Sequence, residues 1–410
     1  MRVAVLGGGL QGCTTALALA DRGVEVVLFD RNEALLSRTA IANEGKIHLG
    51  YMYAADPTLA TARMMMEGAL AFAPFFERHL GIAVDAHATS MPAAYVVHRD
   101  SQHDVDEASA YLAKVHGLIR EAAEGRRDDY FGVEITPLRR WSCAERDASF
   151  DADAAVAVFE TPEVAINPVA LAGAVRERIA GHPLIEVRLG ATIRSACMDG
   201  DRATVEWDGR DGPSREGFDH AVNALWDGRL ALDEKLGLRP SRPWIHRLKY
   251  GVSFTLPEGV ERPQSATFIS GPFGEVVSYP DRLTYLTWYP SCLRGYSSDL
   301  VPPDWQTHPD EPLHGEIVRD TFAALSAIVP CLGTIDPETL PDARVKGGVI
   351  VAWGKTDIYD PDSELHQRYQ IGVTSSGRYH SIDPGKLTMA PYFAEACASR
   401  ICGELQAWRA

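Results

Sequence analysis

Glycines at positions 7, 9 and 12, followed by an acid at position 30, have the types and spacing to hold a dinucleotide. Gly7 permits a tight turn, Gly9 lets the backbone approach a pyrophosphate, and Gly12 lets the following helix pack closely on a sheet. The helix that begins at Leu10 and Gln11 then aims its free N–H groups and the positive end of its dipole at the phosphates. Asp30, with Arg31 beside it, stands where a carboxylate accepts hydrogen bonds from the hydroxyls of an adenosine ribose, and an acid there argues against a 2′-phosphate. Further along the chain lie residues suited to proton and anion chemistry: His48, the run Arg378-Tyr379-His380, and the alternating Arg247 and Lys249. Histidine titrates near neutrality, a guanidinium pairs with a carboxylate, and strand residues two apart share a face.

These residues need elements to position them. Met1 to Leu6 reads as a strand, Leu10 to about Ala20 as an apolar helix and Val26 to Asp30 as a second strand, which is the context that gives the glycine pattern its meaning. Pro57 to about His79 reads as a helix with Met64 and Met65 in its core face, Ala93 to His98 as a strand and Val105 to Glu124 as an amphipathic helix. A strand from Ala154 to Phe159 and a helix from Val169 to Ile179 follow. Ile185 to Ala196 and Ala203 to Trp207 read as a hairpin, and His220 to Leu225 as a strand running into Trp226-Asp-Gly-Arg229. From Pro243 to Tyr289 the pattern is rich in strands separated by Pro and Gly turns, with Trp288 and Tyr289 at the end of one of them. A helix from Pro312 to Val329, a strand from Gly347 to Ala352, a loop from Ser376 to Gly385 and a last helix from Leu387 to Leu405 complete the chain. The fold class expected is α/β: a discontinuous Rossmann-type cofactor domain (residues 1–85, 151–240 and 336–410) with an inserted antiparallel-sheet substrate domain (residues 86–150 and 241–335).

The 410 residues are too many for one small core and suit two closely packed domains. A net charge of −16 disfavours nucleic acid or an anionic membrane surface as partner. The seven cysteines show no metal-ligand spacing and read mostly as small buried hydrophobes, so no metal site is expected. With a strand starting at residue 2 and no apolar run of about 18 residues, neither a signal peptide nor a membrane span is expected. The location expected is cytoplasmic.

Lys46-Ile-His-Leu-Gly-Tyr-Met-Tyr53 and Asp383-Pro-Gly385-Lys386-Leu387-Thr388 resemble two signatures of the D-amino-acid-oxidase-like flavoprotein superfamily. They are most similar to the branch of FAD-dependent glycerol-3-phosphate dehydrogenases, and Asn43-Glu-Gly-Lys-Ile-His48-Leu-Gly50 also resembles a stretch of L-2-hydroxyglutarate dehydrogenases. The resemblance implies FAD bound in an extended form by a GR2-like domain. Gly7, Gly9, Gly12 and Asp30 would hold its ADP half, Thr192 and Ile193 would border the adenine, and Asn43, Gly45, Lys46 and Ile47 would lie along the flavin. Asn223, Ala224 and Trp226 stand at the turn that meets the cofactor, although the usual glycine-ended turn is replaced here by Asn223-Ala-Leu-Trp226-Asp-Gly228. Gly385, Lys386, Leu387 and Thr388, preceded by Asp383, would meet the flavin ring and ribityl chain at a helix start, whose dipole stabilises the negative charge of reduced flavin. The cationic set that a glycerol-3-phosphate enzyme needs is not identifiable.

Such a cofactor takes a hydride from a carbon bearing an alcohol or amine, and a protein group must take the proton. His48 has three readings: that base, the attachment point of a covalent flavin, or a structural histidine. Arg378, Tyr379 and His380 are expected to line the substrate cavity, with Arg378 on a substrate carboxylate. Arg247 and Lys249 either face that cavity or face solvent. The activity expected is oxidation of a CH–OH in a small polar metabolite, a 2-hydroxy acid or sugar-like alcohol, with O2 or a quinone reoxidising the flavin. An amine or amino acid is the alternative. A flavin hydroxylase is disfavoured because Asp383-Pro384-Gly385-Lys386 stands where such enzymes carry Gly-Asp, and a non-catalytic flavin subunit remains a further alternative.

Overall fold

The computed structural model describes residues 1–81, 89–271, 273–360 and 362–403. The expected division at residues 85 and 86 and the end of the last helix at Leu405 lie outside them.

A six-stranded sheet forms around the glycine turn, in the order Gly372–Ser376, Tyr379–Asp383, His220–Asn223, Arg2–Leu6, Glu25–Phe29, Ile185–Arg188. All neighbours are parallel except the outer hairpin of Gly372–Ser376 with Tyr379–Asp383. The central strand Arg2–Leu6 is almost wholly apolar because both faces are covered, as in other parallel sheets. Helix Leu10–Ala20 is buried from Gln11 to Ala20, which its Ala, Leu and Thr composition allows. It packs on helix Ala390–Cys402, which in turn packs on helix Ala60–Leu80. Gln11 Nε2 donates to the Ala390 carbonyl at 3.1 Å, tying the starts of two of these helices together.

A second, nine-stranded sheet is built around the long strand Trp244–Thr255, which pairs with Leu283–Trp288, Leu293–Ser297 and Arg344–Trp353. It is mixed rather than purely antiparallel, because Ala266–Ile269 runs parallel to Ala94–His98. Strands Ala155–Glu160 and Arg344–Trp353, which the sequence division assigns to the cofactor domain, both lie in this sheet. A side sheet joins Thr192–Asp199, Arg202–Gly209 and Gly212–Phe218.

Three differences from the sequence reading have local causes. The run from Ile185 to Ala196 breaks at Gly190, whose φ of +67° turns the chain from the first sheet into the side sheet. Gly212–Phe218, too polar to show as a strand, pairs along its length with Arg202–Gly209. The expected loop from Ser376 to Gly385 is instead a hairpin turned at Gly377, where φ is +59°. Of the cysteines, Cys13, Cys292 and Cys397 are buried, Cys143 is exposed and the other three are partly covered. Among the described residues no helix is long and apolar enough to cross a membrane, and no group of three or more His, Cys, Asp or Glu could hold a metal ion.

Candidate active site

A cavity of about 420 Å³ extends from the glycine turn, past Asp30, Thr192 and Ile193 on one side, to Lys46, His48, Arg247, Lys249 and Gly385–Leu387 on the other. The glycine turn behaves as its spacing predicts. Gly7 has φ +106°, and a Cβ on Gly12 would lie 1.7 Å from the Gly7 carbonyl oxygen, so neither position tolerates a side chain. A Cβ on Gly9, by contrast, would meet nothing within 4 Å: its backbone faces open space. The helix start at Leu10 and Gln11 has no side-chain cap, leaving its first N–H groups for an anion.

Asp30 accepts from Gly8 N through Oδ2 at 2.7 Å and from the backbone and side-chain nitrogens of Asn32 through Oδ1, both at 2.7 Å. Oδ2 therefore keeps a lone pair for a hydroxyl. Asp227 stands across from Arg31 at 3.3 Å and Arg38 at 3.5 Å, a charged strap along the cavity that the sequence reading did not single out. Ala224 forms part of the wall, its carbonyl lying against Gly7. Trp226, with φ +57°, donates from Nε1 to the Val349 carbonyl at 2.6 Å and so joins the two sheets.

The other end of the cavity is rich in charge. Arg247 and Lys249 both point inward, as their shared face allows, but each has a partner: Arg247 Nη1 lies 2.7 Å from Asp357, and Lys249 Nζ lies 3.2 Å from Glu44. Burial opposes the charge on Lys249, yet Glu44 outweighs it and holds the ammonium well above its ordinary range. Lys46 pairs with Glu275 at 3.1 Å. The Lys386 side chain has no hydrogen-bonding or ion-pair partner among the described residues; burial, then Arg368, push it down to about 7, with Glu44 opposing. Tyr289 lines the cavity, whereas Trp288 packs on Phe268 and Phe273 in the second core.

His48 sits between these cations, 2% exposed, with its backbone N–H donating to Thr388 Oγ1 at 2.9 Å. Burial, then Lys386, hold it below the ordinary histidine value, and Glu163 opposes them. Its ring is therefore neutral and able to accept a proton at neutral pH.

Several expected site residues support the wall rather than line it. Asn43 lines the cavity and accepts from Gly45 N at 2.8 Å, while Gly45 lies behind, where a Cβ would be 1.8 Å from the Ile166 carbonyl oxygen. Ile47 is fully buried, and Thr388 bridges His48 to the last helix. Asp383 accepts from Gly385 N, Trp353 Nε1 and Arg229, and so shapes the turn before Lys386. Asn223 is buried and bonded to Asp233 and Tyr379.

The structure contradicts the placing of Arg378, Tyr379 and His380 at the substrate cavity. Tyr379 and His380 belong to the first sheet, where Tyr379 donates to Asp233 at 2.8 Å and His380 Nε2 lies 2.9 Å from His220 Nδ1. Arg378 reaches the other nitrogen of His220 at 3.0 Å. The expectation mistook a parallel strand for a loop, because Ser375, Ser376 and Gly377 mask its start. Glu163 and Glu44 also belong to the site; the sequence signal for Glu163 is a lone acid in the apolar run Thr161-Pro-Glu-Val-Ala-Ile166.

A parallel sheet with an uncapped helix behind three glycines, facing a second sheet across a charged cavity, is the architecture of a dinucleotide-binding protein. The chain belongs to the DAO family of FAD-dependent oxidoreductases, whose family model matches residues 2–392. Over its whole length it is similar to glycine oxidase from Geobacillus kaustophilus, with TM-score 0.68, 14% identity and 96% of that chain covered. It is likewise similar to the FAD-bound L-alpha-glycerophosphate oxidase from Mycoplasma pneumoniae, with TM-score 0.65, 14% identity and 100% and 95% of the two chains covered. Shorter segments match D-amino acid dehydrogenase 1 of Mesorhizobium japonicum, 38% identical over 85 residues, and D-amino acid dehydrogenase of Phenylobacterium zucineum, 47% identical over 51 residues. Those segments span 20% and 12% of both this chain and the respective relative.

Proposed function

We propose that this protein oxidises the CH–OH group of a small polar metabolite, a 2-hydroxy acid or a sugar-like alcohol, with His48 as the base. FAD, held by the glycine turn and the two helix starts, supplies the hydride acceptor. His48 carries the reading: a neutral imidazole in the cavity wall can take a hydroxyl proton, and the Lys386 side chain, without a hydrogen-bonding or ion-pair partner among the described residues and held at about 7, takes up its charge readily beside an incoming anion. Lys46, Arg247 and Lys249 add to the positive field but are each paired. An alcohol needs a base of this kind because its hydroxyl is far too weak an acid to ionise unaided.

A second reading, oxidation of an amino acid, is supported by Glu44, which lines the cavity and would receive a substrate ammonium in competition with Lys249. The names of the relatives matched over short segments point the same way. O2 or a quinone as electron acceptor completes the proposal. A reducing, cytoplasmic setting suits a chain whose seven cysteines, all within the described residues, form no disulfide.

The test is anaerobic mixing of the FAD-loaded protein with matched 2-hydroxy acids and amino acids, following flavin absorbance. Bleaching by the hydroxy acids, slowed about 10²-fold or more by His48→Ala, is expected. Bleaching only by amino acids transfers the activity to the second reading, and an unchanged rate in His48→Ala removes His48 as base.

A further inference from the structure

We propose that Glu163 is a positioning residue that fixes the His48 tautomer with the proton on Nδ1 and the lone pair on Nε2, ready for the substrate proton. The inference rests on the reading of His48 as base.

Glu163 is fully buried in the segment between strand Ala155–Glu160 and helix Pro168–Ala180. Two donors hold its carboxylate: Leu49 N–H to Oε2 at 2.7 Å and Tyr95 O–H to Oε1 at 2.6 Å. The same Oε1 lies 3.5 Å from His48 Nδ1, which has no hydrogen-bond partner. That gap is longer than a hydrogen bond, but catalytic contacts often tighten only when substrate is bound. The orientation already decides the proton's place. An unprotonated Nδ1 would set a lone pair against a buried carboxylate oxygen, two acceptors facing each other in a low dielectric, whereas an Nδ1–H is attracted to it.

The consequences follow one proton. It leaves the substrate hydroxyl and binds Nε2, while the Nδ1 proton stays in place and Glu163 remains ionised. The imidazolium so formed is stabilised by the adjacent carboxylate and opposed by Lys386 and Lys46, with Glu44 supporting it and the neutral Tyr53 and Tyr95 hydroxyls nearby. Glu163 itself resists protonation: burial raises it, but His48, Lys46 and Tyr95 more than cancel this.

Two measurements test the inference. In Glu163→Gln, flavin reduction by the alcohol substrate should slow by about 10-fold to 10²-fold, and the acid limb of its pH profile should move at least about one unit lower, because the imidazolium loses its counter-ion. An unmoved limb with an unchanged rate overturns the role of Glu163. If that variant does not fold, ¹⁵N NMR of histidine in the unsubstituted, FAD-loaded protein decides, with His48 assigned by the signal lost in His48→Gln. An Nδ1–H signal is expected, and an Nε2–H tautomer overturns the proposal. If His48→Ala leaves reduction intact, the base reading itself fails, whatever the tautomer.

Discussion

At the residue scale, two glycines of one motif carry opposite constraints. Gly12 is confined by the chain itself, because its added Cβ would strike the Gly7 carbonyl. Gly9 is confined only by what its open backbone is to receive. Gly12→Ala should therefore lower stability by about 1–3 kcal/mol through overpacking. Gly9→Ala should melt near the unsubstituted apoprotein yet bind FAD at least about tenfold more weakly. Thermal melts of the apoproteins and flavin fluorescence titrations separate the two effects; equal losses in both readouts would show that the positions do the same work. The motif was legible in sequence because its glycines, strand and acid are contiguous. The pairing of Glu163 with His48 was not, because the two residues stand 115 positions apart in the chain and meet only through folding.

At the element scale, the strand Tyr379–Asp383 shows what the sequence concealed. Its His380 is read as a cavity residue from proximity to Gly385, but parallel pairing with His220–Asn223 buries it beside His220. Arg378 donates to His220 Nε2, so His220 donates from Nδ1 to His380 Nε2, and His380 donates from Nδ1 to Ser375. Both rings must be neutral for this chain to hold. Burial, then His220, push His380 down to about 4, and burial, then Arg378, lower His220. A histidine held below its ordinary value contributes fully above about pH 6.5 and loses that contribution as pH falls through its folded value. Stability should thus drop on the order of 3 kcal/mol through His380 between about pH 6.5 and pH 4, with His220 acting in the same direction. Melts across that range should show a shallower decline in His380→Gln, and parallel curves would rule the pair out as a source of acid lability. The long strands of the second sheet were more legible, because Trp244–Thr255 and Leu283–Trp288 carry sustained β-branched and aromatic runs.

At the scale of the whole molecule, the cavity exists only because distant segments converge on it. Residues near 7, 30, 48, 192, 247 and 386 all line it, and the two helix starts at its ends are tied by Gln11 and Ala390. Sequence resemblance reached the first and last of these segments, since they hold local turns with their own signatures. It could not show that Arg247, Lys249 and Lys46 would meet Asp357, Glu44 and Glu275, because pairings of that kind are set by tertiary packing. On the proposed function, this convergence holds FAD without a covalent bond and leaves His48 free to act as base. The visible spectrum of the purified protein, recorded before and after acid precipitation, tests it most directly. Bands near ~450 nm that pass into the supernatant are the predicted result; colour retained in the pellet, or a colourless protein that takes up no added FAD, would contradict it.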